Sequence, residues 1–188
     1  MQIKHRNDFG TLLSSLGLFG YGIEIGVSEG NYSDIIIKNF KLSKVYLLDA
    51  WKNFDESEYK DVTNENQSIQ DKRYLNVIER FKSYGERVEV IRGDAREEFK
   101  RFADDFFDFV YIDANHKYEA VKEDIKNWYP KTKVGGIFAG HDYMDGIKRT
   151  GEYGVKSAVN EFCKSIGTIP LITGGTFRCP ASWYFQKK

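Results

Sequence analysis

The sequence predicts an α/β fold, a doubly wound and mostly parallel sheet with helices on both faces. Three observations predict it. Strand-like apolar runs alternate with segments of helical period along nearly the whole chain. The run Phe107-Asp108-Phe109-Val110-Tyr111-Ile112 is apolar at almost every position, as in a strand buried on both faces. The last two strand-like runs, residues 169–173 and 182–186, are too close together for a helical crossover, so that pair is expected to be antiparallel.

Each element follows from a local pattern. Asp8 is placed to cap a short helix with Phe9, Leu12, Leu13 and Leu16 on one face, which Gly17 stops. A first strand spans residues 21–26. The helix behind it carries Tyr32, Ile35, Ile36 and Phe40. Val45, Leu47 and Leu48 mark a second strand that ends in Asp49-Ala50-Trp51. Residues 53–71 are polar and aperiodic, long for a connection, and are expected to form either a loop that closes over a site or a solvated connector. Tyr74, Val77, Ile78, Phe81 and Tyr84 give the next helix. A third strand, 88–91, ends in Gly93-Asp94-Ala95, and a short helix over 96–103 leads to the fourth strand and Asp113. Tyr118, Val121, Ile125 and Trp128 define a helix closed by Pro130. Gly135-Gly136 then turns into a fifth strand ending in His141-Asp142. A Gly-, Asp- and Lys-rich loop runs to about Gly154, and Val155, Ala158, Val159, Phe162 and Ile166 mark the last helix.

Composition bounds the function. The 188 residues, 41 % hydrophobic and 15 % aromatic, suit one folded domain over 1–188 with a short helical segment at 1–20. Lys+Arg and Asp+Glu are both 28, which argues against a nucleic-acid partner. No apolar run approaches the roughly 20 residues of a membrane span, and no signal peptide is evident, so no membrane partner and a cytoplasmic setting are expected. Cys163 and Cys179 lack metal-ligand spacing, and Cys163 falls on an apolar helix face as a small buried group.

In a doubly wound sheet, ligands bind outside the carboxyl ends of the strands. Gly26, Asp49, Asp94, Asp113 and Asp142 all fall at predicted strand C-termini, so one sheet edge collects a glycine turn and four carboxylates. In Gly22-Ile23-Glu24-Ile25-Gly26-Val27-Ser28-Glu29-Gly30 the two turn glycines allow close approach to a ligand. A dinucleotide turn wants three glycines, and Glu29 would repel a pyrophosphate, so a cofactor with a positive or zwitterionic end fits better. Asp49 can accept both ribose hydroxyls, with Ala50 beside it, and Trp51 can pack on a purine. Asp94 can accept from an adenine amino group while the Ala95 N–H donates to the ring.

Together, Glu24-x-Gly26-x-x-x-Gly30, Asp49, Gly93-Asp94-Ala95 and Asp113 resemble the ordered motifs of class I S-adenosylmethionine-dependent methyltransferases over about residues 20–145, with Ser28 of the turn as a further candidate for the cofactor. The resemblance implies a Rossmann-like seven-stranded sheet with a reversed last strand. It also implies that Glu24 and the glycine turn meet the methionine part, Asp49 the ribose, and Asp94 with Ala95 the adenine. The segments Tyr111–Tyr118 and 135–143 look like a subgroup of metal-dependent O-methyltransferases for sugars and small hydroxylated molecules. That likeness implies a divalent metal such as Mg²⁺ on Asp113 and Asp142, and His116 as the base. Relatives often carry two adjacent acid or amide ligands after the fifth strand. Here the pair is His141-Asp142, so an imidazole enters the ligand set or fewer carboxylates hold the metal.

The expected activity is therefore O-methylation of a small-molecule or sugar hydroxyl. The acceptor would be shaped by the loops at 53–71 and 143–154 or by a partner subunit, as in a homodimer, since only about 20 residues precede the first strand. A non-catalytic cofactor-binding protein of the same fold, and a Rossmann-type enzyme using a nicotinamide or a nucleotide-sugar, are the alternatives.

Overall fold

The computed structural model describes residues 2–176 and 179–188. In chain order the elements are α1 (Phe9–Ser15), β1 (Tyr21–Ile25), α2 (Asn31–Asn39), β2 (Lys44–Asp49), α3 (Gln67–Phe81), β3 (Val88–Arg92), α4 (Ala95–Glu98), β4 (Phe107–Ile112), α5 (Tyr118–Trp128), β5 (Thr132–Gly140), β6 (Asp145–Lys148), β7 (Gly151–Gly154), α6 (Val155–Ser165), β8 (Leu171–Ile172) and β9 (Trp183–Gln186). Seven strands form one sheet in the order β3-β2-β1-β4-β5-β9-β8. Strands β1 to β5 pair in parallel, and β9 runs antiparallel to both β5 and β8. This is the expected Rossmann-like, seven-stranded and mostly parallel sheet, with the reversed strand near its C-terminal edge.

Strand alternation divides the core into two layers. Phe109 and Tyr111 of β4 face the side covered by α1, α2 and α3, where Phe9, Ile36, Ile37 and Phe81 pack. Val110 and Ile112 face the side covered by α5 and α6, where Val121, Ile125, Trp128, Ala158, Val159 and Cys163 pack. Every residue of β4 is buried, as its apolar run foretold. Each such aliphatic or aromatic side chain contributes about 1.5–3 kcal/mol by leaving water. The chain winds outward from β1 through β2 to β3, then returns to place β4 on the other side of β1. That reversal opens a crevice at the C-terminal ends of β1 and β4. No helix of the described residues is long and apolar enough to cross a membrane.

Several local expectations are corrected. Asp8 does not cap α1 with its side chain; its carboxylate accepts from His5 N at 2.9 Å and closes a single 3-10 turn ahead of the helix. The loop after β2 is shorter than the polarity of residues 53–71 suggested, because Asn66 caps α3 and the helix starts at Gln67. Charged residues there face solvent on a helix rather than a loop. Strand β5 starts at Thr132, before the glycine pair, and Gly135-Gly136 lies inside it where its register with β4 shifts. The segment read as a loop to Gly154 is the β6–β7 hairpin, which pairs antiparallel outside the main sheet.

Candidate active site

Backbone hydrogen bonds extend the central ladder beyond the strand ends. Gly26 N donates to Leu48 O at 2.9 Å, Asp113 N to Ile25 O at 2.7 Å, and His141 N to Ile112 O at 2.9 Å. The glycine turn, the acid after β4 and the pair after β5 thus stand side by side. A Cβ on Gly26 would lie 2.0 Å from the Asp113 carbonyl, and φ there is 91°. Gly26 is required so that the β4 end can approach, and it also lines the cavity. Gly30, with φ of 75°, begins α2, and a Cβ there would meet the Phe81 ring at 2.8 Å.

Asp49 fastens this turn to β2. Its carboxylate accepts from Ser28 N and from Trp51 N, both at 2.8 Å. Burial raises the Asp49 carboxyl, and those backbone donors oppose the rise. Trp51 is fully buried against Tyr74, and its Nε1 donates to Ser28 O at 2.9 Å. The expectation that Trp51 packs on a purine is therefore corrected: the indole supports the turn from behind, while Ser28 and Ala50 line the cavity. Ser28, Trp51 and Asp142 have φ of 49°, 39° and 51°, so three of the four described non-glycine residues with positive φ sit at this edge. Strained backbone of this kind gathers at functional sites.

Glu24 is 1 % exposed and accepts a short hydrogen bond from Ser33. Burial first, then the nearby Asp113 charge, pushes its carboxyl up to about 8 against the Ser33 bond and Arg6. Asp94 caps α4 and holds Arg96 through both oxygens, with Nε at 2.9 and 3.1 Å and Nη2 at 2.6 Å. Arg96 keeps the Asp94 carboxyl below its ordinary range. Asp94 also lines the cavity with a third of its side chain exposed, so its oxygens keep room for a further donor beside Arg96.

The chemistry concentrates around His116. Its Nε2 lies 3.0 Å from Asp142 Oδ2 and 3.7 Å from Asp113 Oδ1, and its Nδ1 lies 3.6 Å from Asp61 Oδ2. The ring stacks on Tyr153 with centroids 4.8 Å apart. Burial alone would lower the imidazole, but Asp113, Asp142 and Asp61 outweigh it and raise it well above the ordinary value. Burial likewise raises Asp142, and His116 with His141 overcome it, so the carboxyl ends well below the ordinary range. His141 Nδ1 faces Asp142 at 3.4 Å and Asp113 at 3.8 Å, while its Nε2 lies 3.9 Å from Cys179 Sγ.

Ligand atoms of Asp113, His141 and Asp142 all lie within 4.8 Å of one another. Two carboxylate oxygens and an imidazole nitrogen suit a divalent cation. His116 Nε2 is buried without a well-aligned hydrogen bond, although it is close to two carboxylates. The sequence-derived set of Asp113, His116, His141 and Asp142 is therefore brought into one cluster. The cavity over it measures about 690 Å³ and runs from Asp142 past Gly26 and Asp49 to Ala95, within the roughly 300–1,000 Å³ usual for small-molecule sites.

Sequence patterns missed three contributors. Arg6 reaches Asp113 at 3.6 Å and stacks over Tyr32, from a segment with no motif. Asp61 comes from the aperiodic loop after β2, and Tyr153 from the unrecognised hairpin. Only tertiary pairing brings them in: Asp61 bridges Gly151, and Gly154 N donates to His116 O at 2.8 Å. The loop is ordered internally, since Asn64 bonds Phe54 N at 2.9 Å and Tyr59 O at 2.7 Å. Lys117 donates to Ser57 O at 2.7 Å and Arg96 meets Glu58 at 2.9 Å, so the loop lies over the cavity.

The profile of the family described as "Methyltransferase domain" matches residues 23–143, more than half of the 188-residue chain. No curated protein matches the sequence. Among solved structures, a Staphylococcus aureus protein assigned as a caffeoyl-CoA O-methyltransferase is similar with a TM-score of 0.65 and 15 % identity, over 96 % of this chain and 81 % of that one. An rRNA methylase from Streptococcus thermophilus gives 0.61 and 16 %, over 95 % and 93 %. The 1,6-didemethyltoxoflavin-N1-methyltransferase of Burkholderia thailandensis, solved with its substrate and S-adenosylhomocysteine, gives 0.61 and 12 %, over 97 % and 77 %. At such identities the likeness speaks for the fold alone, and the acceptors named range from rRNA to small molecules. The matched segment spans the glycine turn, the acids at the strand ends and the His141-Asp142 pair, and on that match the chain belongs to the methyltransferase domain family.

Proposed function

We propose that this protein transfers the methyl group of S-adenosylmethionine to a hydroxyl of a small molecule or sugar, with a divalent cation on Asp113, His141 and Asp142. The observation that carries the reading is the placement of His116 between Asp142 and Asp113, in one cavity with the Gly26–Gly30 turn. Family membership favours this over a nicotinamide or nucleotide-sugar enzyme.

When bound, S-adenosylmethionine supplies a methyl on a sulfonium sulfur, and a cation supplies Lewis acidity to the acceptor hydroxyl. Everything else falls to the chain. The Gly26–Gly30 turn shapes the pocket for the methionine end, and the first residues of α2 offer it backbone N–H groups, since the N–H groups of Gly26, Ser28 and Gly30 are used inside the fold. Asp49 fixes the shape of that turn, and Ala50 with Ser28 walls the ribose region. Asp113 stands between the donor and acceptor ends. His116 takes the hydroxyl proton as the C–S bond breaks and the C–O bond forms, giving S-adenosylhomocysteine and a methyl ether. A cation on Asp113 and Asp142 would neutralise two of the three carboxylates that raise the imidazole, leaving Asp61 beside Nδ1 to orient it for proton transfer. The loop over residues 53–66 excludes water from the cavity.

Calorimetry tests the reading. S-adenosylmethionine and S-adenosylhomocysteine should each bind at one site. No heat at millimolar ligand overturns the proposal, and binding without turnover on any hydroxylated acceptor favours a non-catalytic cofactor-binding protein.

A further inference from the structure

We propose that Asp124 reads the 6-amino edge of the adenine ring. The proposal rests on the S-adenosylmethionine reading above and assigns a residue to it that neither motif nor spacing singled out. Asp124 lies in the middle of α5, among residues that build the core. Val121, Ile125 and Trp128 carry the apolar stripe of that helix, and Asp124 is buried beside them at 5 % exposure. An apolar residue would complete the stripe. Instead a carboxyl faces the cavity beside Asp94, Ala95 and Ala120. Among the described residues no hydrogen bond or ion pair reaches it.

A buried polar group without a partner is costly and calls for an explanation. Burial first, then the charges of Glu123 and Asp94, pushes the carboxyl up to about 7, with Arg96 opposing. Near neutrality a large share of it is the neutral acid, which offers one donor and one acceptor side by side. The 6-amino edge of adenine presents an N–H donor next to a ring nitrogen acceptor, the complementary pair. Asp94, at the strand end where the sequence pointed, has both oxygens on Arg96. It caps α4 and holds Arg96, and the Asp124 carboxyl, which has no such partner, faces the same end of the cavity beside Ala95.

The test compares S-adenosylhomocysteine with its 6-deamino counterpart by calorimetry, on the full-length wild type and on Asp124→Leu, Asp124→Ala and Asp124→Asn. Wild type should prefer the amino compound about ten-fold, the usual size of one hydrogen bond. Asp124→Leu and Asp124→Ala should narrow that ratio to about two-fold, and Asp124→Asn should keep most of it. Ligand-free Asp124→Leu should melt higher than wild type, since it relieves an unpartnered buried acid. An unchanged ratio in the Leu and Ala variants overturns the assignment, as does a lower melting temperature for Asp124→Leu, which would mark a structural carboxylate. Failure of wild type to bind S-adenosylhomocysteine overturns the cofactor reading and this assignment with it, a result distinct from an unchanged ratio.

Discussion

His116 Nε2 stands 3.0 Å from Asp142 Oδ2, joining the loop after β4 to the loop after β5 across the mouth of the cavity. In the proposed reaction this imidazole is the base that takes the acceptor proton. His116→Ala should lower methyl transfer by about 10²–10⁴-fold, the usual contribution of a positioned acid–base group. S-adenosylhomocysteine affinity should stay within about three-fold. Radiolabel transfer and calorimetry on the same preparations check both halves.

Cation binding should be visible without turnover. Three ligand atoms within 4.8 Å form a site in the folded chain that the unfolded chain lacks, so Mg²⁺ or Mn²⁺ should raise the melting temperature as its concentration passes Kd. At a hundred-fold excess over Kd the gain is about 2.7 kcal/mol. Asp142→Asn combined with His141→Ala should abolish the shift, and a scan against metal concentration reads it directly.

Gly26→Ala should be among the most damaging small changes. Its Cβ would lie 2.0 Å from the Asp113 carbonyl at a φ of 91°. A loss of about 2–4 kcal/mol is expected, from strain plus the forced parting of β1 and β4. Urea denaturation measures it.

These contacts show what could be read from the residues and what could not. The alternation of strands and helices and the antiparallel last pair were legible because each rests on local pattern, apolar runs and their spacing, while Asp113, His116, His141 and Asp142 were gathered from acids at strand ends together with a family resemblance; the order of the strands in the sheet was not read from the residues. Trp51 was misassigned because its direction depends on a positive φ and on Tyr74, a helix residue well beyond the end of β2. The Arg96 side chain that folds back on Asp94 was not legible in the sequence, because that pairing depends on the geometry at the start of α4. Arg6 and Asp61 were invisible, since no periodicity marks a residue whose role comes from the segment it meets in space.

Stability should fall as pH rises through the range of two buried acids. Glu24 moves from 4.5 to about 8 and Asp124 from 3.8 to about 7 on folding. A carboxyl raised on folding carries no penalty below its unfolded value; the penalty grows through the folded value and is complete above it. From pH 5 to 8 wild type should lose on the order of a few kcal/mol through these two groups. Glu24→Gln and Asp124→Asn should each flatten part of that slope, as denaturation midpoints across the range would show.

The loop over the cavity is held by exposed pairs, which are worth little globally. Arg96 and Glu58 meet at 2.9 Å with about two fifths of each side chain exposed. Arg96→Ala should change unfolding free energy by less than about 1 kcal/mol. It should nevertheless speed limited proteolysis between residues 53 and 62, and S-adenosylhomocysteine should slow it in wild type.

A crystal structure of the protein with S-adenosylhomocysteine and Mn²⁺ tests the central claim most directly. The account predicts the nucleoside lying from the Gly26–Gly30 turn to Ala95, and one anomalous peak ligated by Asp113, His141 and Asp142 within reach of His116. A nucleoside bound elsewhere, or Mn²⁺ absent from those three residues at saturating concentration, would contradict it.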